Sequence, residues 1–161
     1  MILVTLGTQD KKFYRLLESL QKQIDRGLIK DKIVVQAGCS SDFKTNSMEI
    51  FNLIPIDQFE QLIKECDILI THGGVGSILS GLKNNKKVIA IPRLSKYGEH
   101  VNDHQLQIVN NFSESGYIMT VDNIDELYKV IDSISSFKSK KFKSNNKKFV
   151  DCLKQEIDKY L

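Results

Sequence analysis

The sequence lacks the features of a disulfide-bonded, zinc-binding or membrane-spanning protein. It has three cysteines, Cys39, Cys66 and Cys152, and no two of them form a CxxC pair. An odd number of cysteines without metal-ligand spacing favours free thiols in a reducing compartment. No apolar run approaches the roughly 20 residues that cross a bilayer, and residues 2–6 are too few for a signal sequence. We therefore expect a cytoplasmic protein.

Residues 1–136 also lack an excess of basic residues. The formal net charge is +3, but residues 137–161 hold eight lysines and three acids, leaving 15 basic and 17 acidic residues in positions 1–136. Nucleic-acid-binding domains usually carry a basic face, so we expect no nucleic acid as a partner. The lysine-rich end is compatible with an anionic membrane surface or with a solvated linker.

Common catalytic and metal-binding signatures are also absent. There is no Asp-x-Asp pair for a magnesium diphosphate, no GKS or GKT after a glycine loop, and no GxSxG nucleophile turn. His100 and His104 have the four-residue spacing of metal ligands, but no third ligand is clearly placed beside them. We expect neither a metal nor a cofactor.

What the sequence does contain is a regular alternation of strand and helix patterns. Its 161 residues are 41% hydrophobic, enough for one sizeable core. Strands are predicted at residues 2–6, 32–37, 48–54, 67–71, 88–91 and 117–121. Helical spacing of apolar residues follows most of them, including Leu106, Val109 and Phe112 as the buried side of one helix. This order predicts a single Rossmann-like α/β domain over residues 1–136, with a mainly parallel sheet.

The stretch with the clearest chemistry runs from residue 67 to residue 105. An apolar strand without alternation, typical of a strand covered on both faces, ends at a glycine turn that opens a helix. The first amides of a helix have no partner within it and favour an anion, for which phosphate is the obvious candidate. The turn therefore predicts a diphosphate site. A polar loop, residues 93–103, follows the next strand and opens on the same sheet edge.

Residues 137–161 differ in composition from the rest of the chain. Residues 138–148 are rich in lysine, serine and asparagine, which predicts a flexible linker or exposed turn. Apolar residues then recur at helical spacing, at Phe149, Leu153 and Ile157. We expect a C-terminal amphipathic helix that packs on this domain or docks on another chain.

Four motifs together carry a resemblance to a known family. They are TLGT at residues 5–8, PIDQF at 55–59, THGGVGS at 71–77 and PRLSKYGEHVNDHQ at 92–105. The chain resembles the donor-binding C-terminal domain of glycosyltransferase family 28, one half of a GT-B enzyme, over nearly its whole length. The last motif is most similar to the small accessory subunit of bacterial capsule and exopolysaccharide β-1,4-galactosyltransferases, itself similar to the donor subunit of the dolichol-linked GlcNAc transferase.

The resemblance implies one subunit of a two-component inverting glycosyltransferase. The expected donor is UDP-galactose, transferred to a lipid-linked saccharide in capsule or exopolysaccharide synthesis. The acceptor site and the catalytic base are expected on a membrane-associated partner subunit, which would recruit this chain to the inner face of the membrane. Alternatives are UDP-GlcNAc as the donor, a non-catalytic activator or stabiliser of a partner glycosyltransferase, and a nucleotide-binding regulator.

The resemblance also implies which residues meet the donor. Around the diphosphate it places Gly7, Thr8, His72, Gly73, Gly74, Val75, Gly76 and Ser77. It puts Ile56 by the uracil, and His104 and Gln105 by the sugar. The family's ribose-binding glutamate is replaced here by Ser80-Gly81, so Glu99 and Asp103 are alternative acceptors for the ribose hydroxyls.

A dinucleotide site is the closest competitor to a UDP-sugar site. It ranks lower because the glycine turn follows the fourth predicted strand, and because no acidic residue ends the next strand, where a ribose would be held.

Overall fold

A five-stranded parallel sheet forms the centre of the computed structural model, which describes residues 1–143. The strands are β1 (Ile2–Thr5), β2 (Ile33–Gln36), β3 (Glu49–Phe51), β4 (Ile68–His72) and β5 (Lys87–Ile91). Their order across the sheet is β3-β2-β1-β4-β5, and Val4 of β1 lies opposite Val35 and Ile70. The predicted fold, a single Rossmann-like α/β domain with a parallel sheet, is confirmed.

Five α-helices connect and cover the strands within the described residues. They are α1 (Tyr14–Asp25), α2 (Ile56–Glu65), α3 (Val75–Lys83), α4 (His104–Glu114) and α5 (Leu127–Ser133). Short 3₁₀ turns lie at Gly38–Ser40, Ser95–Tyr97, Ile124–Glu126 and Ile134–Ser136.

Both faces of the sheet are buried, which explains the unalternating apolar strands. Side chains of β1 alternate between the two layers. Val4 packs in a cluster with Leu16 and Leu20 of α1, and with Leu127 of α5. Leu3 points the other way, into a cluster formed with Ile63 of α2, Ile78 of α3 and Val109 of α4. A strand between two helical layers needs apolar residues at every position.

The predicted sixth strand at residues 117–121 is reduced to a single bridge. Met119 pairs with Ile89 of β5, with hydrogen bonds of 2.9 Å to the backbone of Val88 and Ala90. Gly116, at φ +77°, turns the chain immediately before this bridge, and the 3₁₀ turn at Ile124–Glu126 begins soon after it. Between these two turns the chain touches β5 only at Met119, so a bridge forms and not a ladder.

Two further predictions differ from the structure. The third strand is shorter than residues 48–54 because it forms one edge of the sheet and pairs only through residues 49–51. Leu106 was predicted to be buried but is 39% exposed. Helix α4 begins at His104 rather than near residue 102. Val109 is buried as predicted, and Gln105 takes the buried place expected for Leu106.

The described part of the predicted linker runs over residues 137–143 without regular structure. The ring of Phe142 lies 6.2 Å from that of Tyr117, and Lys140 N donates to Gly116 O at 2.9 Å. The predicted C-terminal helix lies outside the described residues. In the part of the chain that the structure covers, no helix combines the length and apolar character needed to cross a membrane.

Because all five strands are parallel, their carboxyl ends meet at one edge of the sheet. The loops after β1, β4 and β5 therefore lie side by side there. Ligands of open α/β sheets bind at this edge.

Candidate functional site

The turn between β4 and α3 presents free backbone amides at the carboxyl edge. The first hydrogen bond of α3 runs from Ile78 N to Gly74 O at 3.2 Å, so the amides of Val75, Gly76 and Ser77 lie ahead of it. With nine residues, α3 has a dipole whose positive end coincides with these amides. The arrangement suits a phosphate oxyanion.

The imidazole of His72 lies between this turn and the turn after β1. A Cβ built on Gly7 would lie 2.7 Å from His72 Cε1, and one built on Gly74 would collide with His72 Nε2. Gly7 also has φ +78°, which favours glycine. The histidine ring therefore requires glycine at both positions, whether or not a ligand is bound.

Burial keeps His72 uncharged. The residue is 8% exposed, and its Nδ1 lies 3.3 Å from Thr5 O and 3.5 Å from Thr71 Oγ1. Desolvation lowers the pKa of the imidazole from 6.5 to about 4, outweighing the hydrogen bond to Thr5 that raises it. At neutral pH the ring therefore offers no positive charge, and because its Nδ1–H faces the carbonyl oxygen of Thr5, its Nε2 is left as an acceptor.

A cavity of about 250 Å³ brings together residues from three of the four motifs. The glycine turn after β1 contributes Gly7 and Thr8, helix α2 contributes Ile56, and helix α3 contributes Ser77. The remaining lining consists of Gln36, Leu53, Ile54 and Phe59. Ile56 is 72% exposed although it is aliphatic, so its side chain forms an open apolar wall beside the polar turns. A flat apolar base and a diphosphate would meet matching surfaces here.

The polar loop after β5 uses most of its polar side chains within the protein. The Glu99 carboxylate accepts from Arg15 Nε at 2.8 Å and from Leu94 N at 3.0 Å, and Glu99 is 3% exposed. Asp103 accepts from Ser95 N at 2.8 Å, which is the main reason its pKa lies below the usual value. Glu99 is thus an internal brace, and its predicted role as ribose acceptor has no support in this geometry.

Gln105 and His104 lie at the start of α4 in different environments. Gln105 is 5% exposed, and its Oε1 accepts from Arg93 N at 3.1 Å. A Cβ on Gly73 would lie 2.7 Å from Gln105 Cβ, so the glycine turn packs directly against this residue. His104 is exposed, with Nδ1 3.4 Å from Gln107 Oε1. Of the two predicted sugar contacts, only His104 has an exposed side chain.

The Ser80-Gly81 pair has a packing explanation. A Cβ on Gly81 would lie 2.7 Å from Leu69 Cδ2 and 2.7 Å from Val88 Cγ2, so glycine lets α3 approach the sheet closely. Ser80 lines a separate cleft with Gly76, outside the cavity that contains Ser77.

Arg93 and Gly38 are the residues that sequence reasoning missed. The side chain of Arg93 is fully buried and hydrogen-bonds to the loop after β1. A Cβ on Gly38 would lie 2.6 Å from Gly7 O, so the turn after β2 supports the turn after β1. The sequence signal for Gly38 was its position directly after a predicted strand, and that for Arg93 was its place at the start of the polar loop.

A larger cavity, about 670 Å³, lies away from this edge. It is a groove between the edge strand β3 and helix α2, and it reaches Met1 and Lys32 at the amino ends of the strands. Within residues 1–143 no three His, Cys, Asp or Glu side chains are grouped as metal ligands.

The sheet topology and the amide-lined turn at its carboxyl edge define a Rossmann-like domain. Residues 1–158 match the model of the glycosyltransferase family 28 C-terminal domain. The chain belongs to this family.

Curated relatives are subunits of a sugar transferase. The chain is 30% identical over 104 residues to the UDP-N-acetylglucosamine transferase subunit ALG13 of Candida glabrata, which covers 64% of this chain and 48% of the relative. Its identity to the Candida albicans protein of the same name is 28% over 100 residues, or 62% of this chain and 32% of the relative. The chain thus spans half or less of the length of these relatives.

Solved structures share the fold at low identity. An NMR structure of ALG13 superposes with a TM-score of 0.55 at 20% identity, covering 89% of both chains. The UDP-GlcNAc 2-epimerase of Methanocaldococcus jannaschii gives a TM-score of 0.66 at 15% identity, covering 96% of this chain and 45% of the enzyme. MurG of Acinetobacter baumannii gives 0.56 at 15%, covering 83% of this chain and 42% of that one.

The prediction of UDP-galactose as donor, in capsule or exopolysaccharide synthesis, is wrong. The relatives that match the chain are named as UDP-N-acetylglucosamine transferase subunits, which favours the UDP-GlcNAc alternative. The error came from assigning a sugar to the motif at residues 92–105. Most polar side chains of that motif brace the loop, so the motif reports loop architecture more than sugar identity.

Proposed function

We propose that this chain is the donor-binding subunit of a two-component inverting glycosyltransferase, with UDP-GlcNAc as the donor. The observation that carries the proposal is the cavity at the carboxyl edge, where Gly7, Thr8 and Ser77 meet the apolar wall of Ile56. The names of the curated relatives support the choice of nucleotide sugar.

In this proposal the diphosphate binds at the start of α3. The amides of Val75, Gly76 and Ser77 donate to its oxygens, and the turn at Gly7 and Thr8 closes the other side. Fixed amides stabilise the charge that builds up on the leaving diphosphate as the glycosidic bond breaks, without rearrangement and without a metal. The neutral imidazole of His72 supports the two turns from behind.

The nucleoside and the sugar extend in opposite directions from the diphosphate. Uracil packs on Ile56, and the sugar lies toward His104 and Gln105 at the start of α4. Neither predicted ribose acceptor lies on the nucleoside side, because Glu99 is engaged by Arg15 and Asp103 lies beside His104 at the sugar end.

The catalytic base and the acceptor site belong to a partner in this proposal. Among residues 1–143, five of the seven large exposed apolar side chains flank the carboxyl edge, namely Leu53, Ile56, Val75, Tyr97 and Val101. An apolar rim around a polar site suits a surface that a second subunit covers. We propose a cytoplasmic chain recruited to the inner face of the membrane by a membrane-associated glycosyltransferase subunit that holds a lipid-linked acceptor. The docking role of residues 137–161 stays a prediction.

A non-catalytic stabiliser of such a partner is the second candidate. It is favoured by one observation, the absence of a glutamate at Ser80 in the first turns of α3.

Calorimetric titration of the purified chain with UDP-GlcNAc, UDP-galactose, UDP and NAD tests the proposal. We expect UDP and UDP-GlcNAc to bind, UDP-galactose to bind no better than UDP, and NAD not to bind. A chain that binds none of the uridine nucleotides but still activates its partner would be a stabiliser only.

A further inference from the structure

One buried side chain ties two loops of the site together. Arg93 follows β5 and is 0% exposed. Its Nη2 donates to Leu6 O at 2.7 Å, and its Nη1 donates to Lys11 O at 2.7 Å and to Glu99 O at 3.2 Å. Leu6 and Lys11 bracket the turn that contains Gly7 and Thr8. A single guanidinium therefore holds both ends of that turn against the loop after β5.

Other contacts fix the loop from which Arg93 projects. The two carboxylate oxygens of Glu99 accept from Arg15 Nε at 2.8 Å and from Arg15 Nη2 at 2.9 Å, a bidentate pair between α1 and the loop. Arg93 N donates to Gln105 Oε1 at 3.1 Å. Gln9 Nε2 and His100 Nε2 lie 3.1 Å apart and join the tips of the two loops. The loop that carries Arg93 is therefore held in place by hydrogen bonds to α1, to α4 and to the loop after β1.

The charge of Arg93 has no carboxylate of its own. The carboxylate of Glu99 is paired with Arg15, whereas the guanidinium of Arg93 donates only to carbonyl oxygens, and its Nε has no partner among the described residues. Arg15, Glu99 and Arg93 together carry one net positive charge. The ring of Phe13 lies 4.9 Å from the guanidinium carbon, which adds a cation–π contact.

A buried, unpaired cation is costly for a protein that needs only a packed loop. Burial lowers the pKa of Arg93, and the charge of Arg93 is one of the causes that lower the pKa of His72. The field of the guanidinium therefore reaches the imidazole between the two glycine turns. Such a charge is useful if an anion binds on the other side of those turns.

We propose that Arg93 is a positioning residue for the diphosphate: it holds the Gly7–Thr8 turn in its binding conformation and places a positive charge beneath the site without contacting the ligand. This inference rests on the proposed UDP-sugar function. It assigns the affinity for the diphosphate partly to a residue that the cavity does not expose.

Two substitutions separate the charge from the hydrogen bonds. Arg93→Met removes both, whereas Arg93→Lys keeps the charge and loses the fork of donors. Lys96→Met is the matched control, because it removes one positive charge from an exposed position of the same loop. Melting temperature is measured for each variant, and affinity is measured for UDP and for uridine.

We expect Arg93→Met to weaken UDP binding by at least about tenfold and uridine binding by less than about threefold, since only UDP carries the diphosphate. Arg93→Lys should fall between Arg93→Met and the unaltered chain, and Lys96→Met should leave both affinities within about twofold. If Arg93→Met does not fold, the same UDP-to-uridine comparison on Arg93→Lys decides.

Equal weakening of UDP and uridine in a folded variant would reduce Arg93 to a structural residue and overturn the inference. Unchanged UDP affinity would overturn it as well. If the unaltered chain binds no UDP, the proposed function fails, and the inference falls with it.

Discussion

Two cavities of this domain differ in size and in chemistry, and the smaller one is the better candidate site. The groove between β3 and α2 is about 670 Å³, and the cavity at the carboxyl edge is about 250 Å³. Of these two, only the smaller cavity is bounded by the glycine turn after β1 and by the first turn of α3, with the buried cation Arg93 bonded to the chain beside Gly7. The comparison teaches that in a parallel sheet the shared direction of the strands, rather than open volume, marks the binding edge.

The strongest test of the smaller cavity is a methyl group at Gly7. Gly7→Ala should abolish UDP binding and destabilise the fold by about 2 to 4 kcal/mol, because it combines a left-handed backbone with a collision against His72. Gly27→Ala is the matched control, since Gly27 has φ +69° with no atom within 4 Å of a built Cβ. It should lose only about 1 to 2 kcal/mol and keep UDP binding. If the denaturant midpoint falls equally in the two variants, the collision with His72 adds nothing to the cost of Gly7→Ala, and the prediction is wrong.

Acid should lower the free energy of unfolding through His72, the buried histidine beside the smaller cavity. The folded pKa of His72 is about 4 and the unfolded value is 6.5, so its stabilising effect is complete above pH 6.5 and is lost as the pH falls toward 4. The loss amounts to about 3 kcal/mol. Urea unfolding of the unaltered chain and of His72→Gln from pH 7 to pH 4 measures it. The variant should show the shallower pH dependence, and parallel curves would contradict the burial of a neutral ring.

A pair of substitutions on one helix compares the two cavities directly. Ile56 and Gln58 are two residues apart on α2, both are exposed, and each lines a different cavity. Ile56→Ala should cost about 1 kcal/mol of UDP binding, because an apolar contact to the base is lost, and Gln58→Ala should cost nothing. Neither should shift the melting temperature appreciably. If calorimetry shows that Gln58→Ala loses more UDP affinity than Ile56→Ala, the nucleotide binds in the larger groove.

The smallest effect is expected at the sugar end of the cavity. Gln105→Ala should lower the affinity for UDP-GlcNAc by about 0.5 to 1.5 kcal/mol more than that for UDP, the loss of one hydrogen bond. Asn111→Ala, at an exposed position six residues further along α4, is the control. If Gln105→Ala weakens both ligands equally, the residue serves only to hold the loop through Arg93 N.

Much of the fold was readable from the sequence, because two buried faces force continuous apolar strands and amphipathic helices. The sixth strand was not, since pairing at Met119 depends on how Gly116 and the turn at Ile124–Glu126 direct the chain. The glycine turn after β4 was also readable. The roles of Glu99 and Arg93 were not, because whether a charged side chain faces a ligand or a carbonyl oxygen is decided by partners distant in sequence, such as Arg15 and Leu6.

The most direct test of the central claim is an NMR titration of the ¹⁵N-labelled chain with UDP-GlcNAc. We expect the largest amide shifts at Gly7, Thr8 and residues 73–77, with the amides of Glu49, Phe51 and Gln61 around the larger groove unchanged. Shifts confined to the groove between β3 and α2, or no shifts at millimolar ligand, would contradict the assignment of the donor site to the carboxyl edge.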